Sequence, residues 1–357
     1  MSRYALPPMT AVSAMNLSSF ATVAAAPSAS FHLRHNLADT GSGAQAAPYC
    51  QSPDIIQSDM PVLNPHLVLP ASDCWAQAYN AAPVGDLNYY YVRGRNHSGV
   101  AVSPQVSFFA LPAQLIPWPS LWGRPIPTLD GQTRASVGRI EPGEVGVTPT
   151  PFRWIPAPLP ATSSFHTLVA MSTASSAAAA APVVHTLADM AALLTSTPGL
   201  AINQLTCLDA DNGPWLVRLG LKVPAELTDM QPITLLLSGC GLHGATVGVL
   251  GDTFTAGRQT LQLAPQVPPD GTVIGFSAEL EPGYDGSITI QVWPGARPPA
   301  DGATLTLQAM YPVPQDLVAQ AARRGTLAPA GRHLSALGIT PRALSPLGEV
   351  TISFSRG

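Results

Sequence analysis

"LNYYYVRGRNHSGVAVSPQVSFFALP", residues 87–112, decides the fold class. Its first part alternates bulky and polar side chains, as a half-buried β-strand does. Asn96, His97, Ser98 and Gly99 interrupt it with residues suited to positive φ, and the apolar "VSFFAL" follows. The stretch reads as a hairpin-like unit of a β-sandwich. Alternation puts Tyr89 and Tyr91 on one face and Tyr90 on the other, so one of these faces lies in the core.

Outward from this unit the same grammar continues. "GRIEPGEVGVTPTPFRWIP" (138–156) reads as two strands about a Pro142-Gly143 turn, and "SSFHTLVAM" (163–171) closes the set. From residue 200 to 312 strands alternate cleanly, above all in "SITIQVW" (287–293) and "TLTLQAMY" (304–311), with Pro-Asp-Gly and Tyr-Asp-Gly turns nearby. Short strands with turn signals every ~8–12 residues predict sandwiches. Between the two sets, "HTLADMAALL" (185–194) places Leu187, Met190, Ala191 and Leu194 at helical spacing. Thr186 suits its N-cap and Pro198-Gly199 its end.

The expected class is therefore all-β, with two β-sandwiches, Ig-like or jelly-roll. The expected layout is an extended N-terminal arm (1–48), an Ig-like sandwich (49–171), an Ala/Ser-rich linker with a short helix (172–199), a second sandwich (200–312) and a C-terminal docking tail (313–357). In the tail, "PQDLVAQAARRG" reads as a helix stopped by Gly325. "EVTISFSRG" reads as a strand that must join a sheet, its own or a neighbour's. The arm's Ala/Ser/Pro composition cannot fold alone, so neighbouring subunits are expected to hold it. It lacks the continuous apolar run of a signal peptide, and the chain is expected to be made without cleavage.

Of the 357 residues only 11% are charged, against ~25% in ordinary soluble domains, and Lys222 is the only lysine among 17 basic residues. A net charge of −4 without arginine runs argues against direct nucleic-acid binding, which needs a concentrated basic footprint. No run approaches the ~18 apolar residues of a membrane-spanning helix, so no membrane insertion is expected. A surface poor in charge fits one covered by neighbours; a GC-rich genome is the other source of the arginine bias.

The series "SPDII" (Ser52 to Ile56), "YVRGRN" (Tyr91 to Asn96), Phe108, Trp118, Trp122, Pro142-Gly143 and Trp154 resembles bacterial Ig-like modules of the CARDB type. The resemblance spans about residues 50–171. Thr167 stands where such modules lead one to expect Cys. The resemblance implies a spacer or binding platform rather than a catalyst, and carries over no functional residue.

Asp86, His97 and Ser98 supply the residue types of a catalytic triad, but a Ser-His turn ordinarily satisfies backbone groups. The run Asp209-Ala210-Asp211-Asn212-Gly213 starts like a calcium loop and then places Leu219 where a bidentate Glu belongs. Glu279 and Glu281 are expected to face solvent. "GCGLHGATVGVLG" (239–251) is glycine-rich but opens no helix, which leaves an inter-strand loop rather than a phosphate cradle. No catalytic residue, metal site or cofactor is expected. Tyr90, Trp118 and Trp122 are the candidate glycan- or partner-contact aromatics. Cys50–Cys74 and Cys207–Cys240 can each form a staple in an oxidising compartment, or remain free thiols.

These readings converge on a non-enzymatic structural component of a virus or phage-like particle, located in the virion or an extracellular particle. It would partner with copies of itself and with other particle proteins. The alternative is a secreted or cell-surface glycan-binding adhesin, with surface polysaccharide as partner.

Overall fold

The computed structural model describes residues 31–41, 47–69, 87–173, 181–251, 261–268, 273–328 and 343–356. They form an all-β protein of four sheets with few helices. Sheet I is centred on β3 (Asn88–Asn96), with which β1 (Phe31–His32), β2 (Ile55–Ser58), β6 (Val145–Val147) and β7 (Phe152–Trp154) all pair antiparallel. Sheet II runs β5-β4-β8-β9, from β5 (Ala135–Ser136), β4 (Gln105–Pro112), β8 (His166–Thr173) and β9 (Leu200–Asn203). Sheet III runs β10-β18-β17-β12-β15, from β10 (Leu205–Asp209), β18 (Leu344–Ser355), β17 (Ala303–Pro312), β12 (Gln231–Cys240) and β15 (Val273–Leu280). Sheet IV runs β11-β16-β13-β14, from β11 (Trp215–Lys222), β16 (Asp285–Trp293), β13 (Thr246–Gly251) and β14 (Gln262–Gln266). The helices are α1 (Pro65–Val68), α2 (Leu187–Ser196) and α3 (Val318–Arg323). Among the described residues no helix is long and apolar enough to cross a membrane.

The opening stretch is not a hairpin. β3 lies in sheet I and β4 in sheet II, and Tyr90 stacks on Phe108 with ring centroids 4.9 Å apart. The Asn96 amide turns the chain away: Nδ2 donates to the Val100 and Ile140 carbonyls, and Oδ1 accepts from the Ser98 backbone. Together these bonds carry residues 97–104 out of one sheet and into the other.

Sheet II is buried on both faces. Val106, Phe108, Leu168, Ala170 and Ala201 pack with Phe31, Tyr90, Val92 and Phe152 between sheets I and II. The alternate residues Phe109, Leu111, Val169, Met171, Leu200 and Ile202 belong to a second cluster, which runs on through Leu187, Met190 and Leu194 of α2 into the core between sheets III and IV. Strands covered twice read as continuous apolar runs, which accounts for "VSFFAL" and "HTLVAM".

This layering revises the expected boundaries. β9, expected to begin the second sandwich, pairs with β8 and closes the first. The helix of the expected linker packs against β17 and β18; its N-cap is Thr186, whose side chain accepts from the Asp189 backbone N–H. The C-terminal strand joins its own sheet, parallel to β10 and antiparallel to β17. The expected arm splits: residues 1–30 lie outside the described residues, while Phe31 and Leu33 are fully buried and Leu33 N donates to the Pro198 carbonyl. What composition suggested were loose ends are, over residues 31–41 and 344–355, parts of the protein's own body.

A wedge splices the halves together. Residues 113–115 leave β4 and bond the edge of β11, with Leu115 N donating to Gly220 O and Gly220 N to Ala113 O, both at 2.8 Å. The Leu115 carbonyl then meets Gly348, next to a bulge in β18 at Leu347. A Cβ at Gly348 would overlap that carbonyl, so glycine is the residue that permits the approach.

Candidate functional site

The surface feature that stands out is a ridge over sheet I. Met60, Leu63 and Leu67 are 69%, 84% and 69% exposed, and Val68 joins them. Four exposed apolar side chains within nine residues make this segment the candidate contact surface of the described residues. The ridge is held from beneath. Ser58 Oγ donates to the Met60 carbonyl at 2.6 Å, Val62 N donates to the Tyr91 hydroxyl at 2.8 Å, and Arg93 Nη1 donates to the Leu69 carbonyl at 3.3 Å. Val62, Leu69, Tyr91, Ile56 and Val147 form a small core under it.

Arg93 belongs to a buried charge cluster that the sequence reading did not single out. Asp54 accepts from Arg34 Nη2 at 2.6 Å, from Arg93 Nε at 3.0 Å and from the Arg34 backbone at 2.8 Å. All three side chains are almost fully buried. Buried charges persist only when paired and hydrogen-bonded, and here one carboxylate, in the loop before β2, ties the segment after β1 to β3. Beside it, Asp39 lies between His32 Nε2 at 3.1 Å and His35 Nδ1 at 3.4 Å. Burial raises the Asp39 carboxyl, yet the bonds from His32 and His35 outweigh it and hold the group well below the usual carboxylate range. The chemistry of this cluster is that of a clamp: its charged groups face one another. Asp54 and Arg93 do fall inside the quoted "SPDII" and "YVRGRN" motifs, and that was the available signal.

A second buried group sits where the halves meet. Glu349 of β18 accepts from Gln308 Nε2 at 2.7 Å and from Tyr49 N at 3.4 Å. Burial pushes its carboxyl up to about 7 against these hydrogen bonds. Burial and the neighbouring Glu349 charge together push the Cys50 thiol well up.

The expected contact aromatics are corrected: Tyr90, Trp118 and Trp122 are each only 1% exposed and cannot offer a ring face to a glycan. Trp118 Nε1 donates to the Lys222 carbonyl at 2.7 Å and Trp122 Nε1 to the Pro117 carbonyl at 2.9 Å, so both indoles are satisfied inside the wedge. Cys50 is a buried free thiol, Cys207 and Cys240 are free, and Cys74 lies outside the described residues. Ser98 Oγ donates to Asn96 Oδ1 at 2.7 Å and the Val100 carbonyl at 2.8 Å, a turn bond; Asp86 lies outside the described residues. Asp209 folds its oxygens onto the Asp211 backbone and the Asn212 amide, and Glu279 is exposed. Among the described residues no group of three His, Cys, Asp or Glu side chains is arranged to hold a metal.

No protein-family model matches the chain, and no curated protein sequence matches it. The resemblance of residues 50–171 to CARDB modules thus rests on the quoted motifs. Solved structures that align with the chain include the isomalto-dextranase of Arthrobacter globiformis T6 complexed with panose, at 16% identity and TM-score 0.18, over 64% of this chain and 35% of that one. A chain of the structure that holds the manganese lipoxygenase of Gaeumannomyces graminis and part of the zonadhesin of Komagataella pastoris aligns at 10% identity and TM-score 0.20, over 85% of this chain and 94% of that one. Red sea bream transglutaminase aligns at 10% identity and TM-score 0.16, over 66% and 30%. The chain spans about a third of the length of the dextranase and of the transglutaminase. Similarity at this level assigns neither a fold family nor an activity.

Proposed function

We propose that this chain is a non-enzymatic structural subunit of a virus or phage-like particle, assembling with further copies of itself. The observation that carries the reading is the Met60–Val68 ridge, an exposed apolar segment tied to the sheet beneath through Tyr91 and Arg93, on a chain with 11% charged residues. Rigid display lowers the ordering cost of association. Within residues 58–69 the only titratable side chains are Asp59 and His66, which suits a charge-poor partner surface such as that of a second copy of this chain. The inward-facing Arg34–Asp54–Arg93 cluster supports a scaffold role, because its charges tie the segment after β1 to β3, and the His32–Asp39–His35 contacts fix the loop beside it. Residues 31–41 and β18 belong to the chain's own sheets and core, so assembly falls to exposed surfaces rather than to an arm or a tail.

Negative-stain electron microscopy of the purified full chain tests this reading. Regular shells, rings or fibres are the expected result. Isolated particles of single-chain size at every concentration and salt condition would overturn it.

A further inference from the structure

The ridge has a shape as well as a chemistry. Leu63 stands at its crest, 84% exposed, the most exposed large apolar side chain among the described residues. Asn64 follows at φ 51°, a left-handed turn that sends the chain into α1 and leaves Leu63 projecting at the bend. Association surfaces pack at their centre as closely as protein interiors, and two convex segments set against each other leave gaps. The complement of a projecting leucine is an apolar pocket of side-chain size. A pocket of about 50 Å3 lies where α2 meets the segment leading into α3. Ala188 and Ala191 of α2 line it together with Val313, Leu317 and Ala321, and its mouth is partly open to solvent. It shares no residue with the ridge or with the small core beneath the ridge.

We infer that Leu63 of one copy seats in this pocket of the next copy, with Leu67 against the rim. Size agrees. A water-sized group needs ~10–15 Å3, so the pocket admits roughly four such groups, the carbon count of a leucine side chain. Charge agrees as well. Asp59 is exposed beside the ridge, and Arg324, itself exposed, is the only charged residue in the pocket lining. The joined centre is then apolar and its margin carries opposite charges, the usual anatomy of an association surface. The inference rests on the assembly reading above and deepens it by naming the partner surface. Because the contact joins two different patches, every copy offers one ridge and one pocket, and such head-to-tail contacts close into rings or run on as fibres.

Two full-length variants test it, each lacking one half of the contact. Leu63→Asp/Leu67→Asp removes the ridge and keeps the pocket. Ala188→Gln/Ala321→Gln fills the pocket with polar side chains that suit a helix and keeps the ridge. By light scattering, each alone is expected at the single-chain mass of 37.1 kDa. Mixed in equal amounts they should pair at twice that mass and grow no further, since the pair has used its one intact ridge and its one intact pocket. If the pocket variant fails to fold, the methyl-labelled ridge variant is titrated with dilute unlabelled wild-type chain. The Ala188, Ala191 and Ala321 methyl signals should then shift or broaden, and unchanged signals would overturn the inference. A pocket variant that assembles as the wild type does, or a mixture that stays at single-chain mass, would also overturn it; a monomeric ridge variant would leave the assembly reading standing in either case. A ridge variant that assembles as the wild type does would overturn both.

Discussion

Glu349 provides a quantitative handle on how the halves are joined. Its carboxyl is raised from 4.5 to about 7, chiefly by burial. A group whose folded value exceeds its unfolded one binds more protons in the folded state, so stability is greatest below about pH 4.5. It declines as pH rises toward about 7 and is level beyond. At ~1.36 kcal/mol for each pH unit, the rise amounts to about 3 kcal/mol of stability lost by neutral pH. Glu349→Gln removes the ionisation and keeps an amide oxygen for Gln308. Urea unfolding of both proteins at fixed temperature, from pH 4.5 to 8.5, measures the effect. The substituted protein should be more stable than wild type by about 3 kcal/mol at pH 8, and the two should converge near pH 4.5. A wild-type midpoint that stays flat or rises over this range would refute the reasoning, as would a Glu349→Gln protein less stable at pH 8. Either result would mean that the carboxylate is solvated or paired when folded.

Asp54→Asn removes the carboxylate that Arg34 and Arg93 share and should cost about 3–5 kcal/mol; a urea midpoint close to wild type would contradict the clamp. Gly348→Ala forces a Cβ against the Leu115 backbone and should cost about 1–3 kcal/mol. Gly220→Ala meets first the end of the Gln114 side chain rather than backbone, so calorimetry should show a smaller fall in Tm than for Gly348→Ala. Thr186→Ala removes the α2 cap and should cost about 1 kcal/mol, read from the same unfolding curves.

Where a single sheet face decides the pattern, the sequence was legible. β16 and β17 show one buried and one polar face, and their alternation disclosed the second sandwich. The α2 face and its Thr186 cap were likewise local, set within a few residues. What local pattern could not supply is what covers a second face. Arg93 shares a face of β3 with Tyr91 and Arg95, which in a two-layer sandwich is the wet one; Asp54 and residues 59–69 cover it, and that cover comes from elsewhere in the chain. The fusion of the sandwiches was hidden for the same reason. Sheet II loses its alternation because α2 and sheets III and IV cover its outer face, and period two then carries no sign of where a domain ends. Trp118 and Trp122 have the composition of a sugar platform, and only their long-range partners, among them the Lys222 carbonyl, place them in the core.

The claim on which the account turns is that the Met60–Val68 ridge is an assembly surface. Light scattering after size exclusion, comparing the wild-type chain with Leu63→Asp/Leu67→Asp, tests it most directly. Both substitutions lie on exposed positions and leave the Tyr91 and Arg93 bonds beneath untouched. The account predicts a wild-type mass well above 37.1 kDa and a variant that falls to that monomer mass with an unchanged unfolding curve. A wild-type monomer, or a variant that assembles as the wild type does, would contradict it.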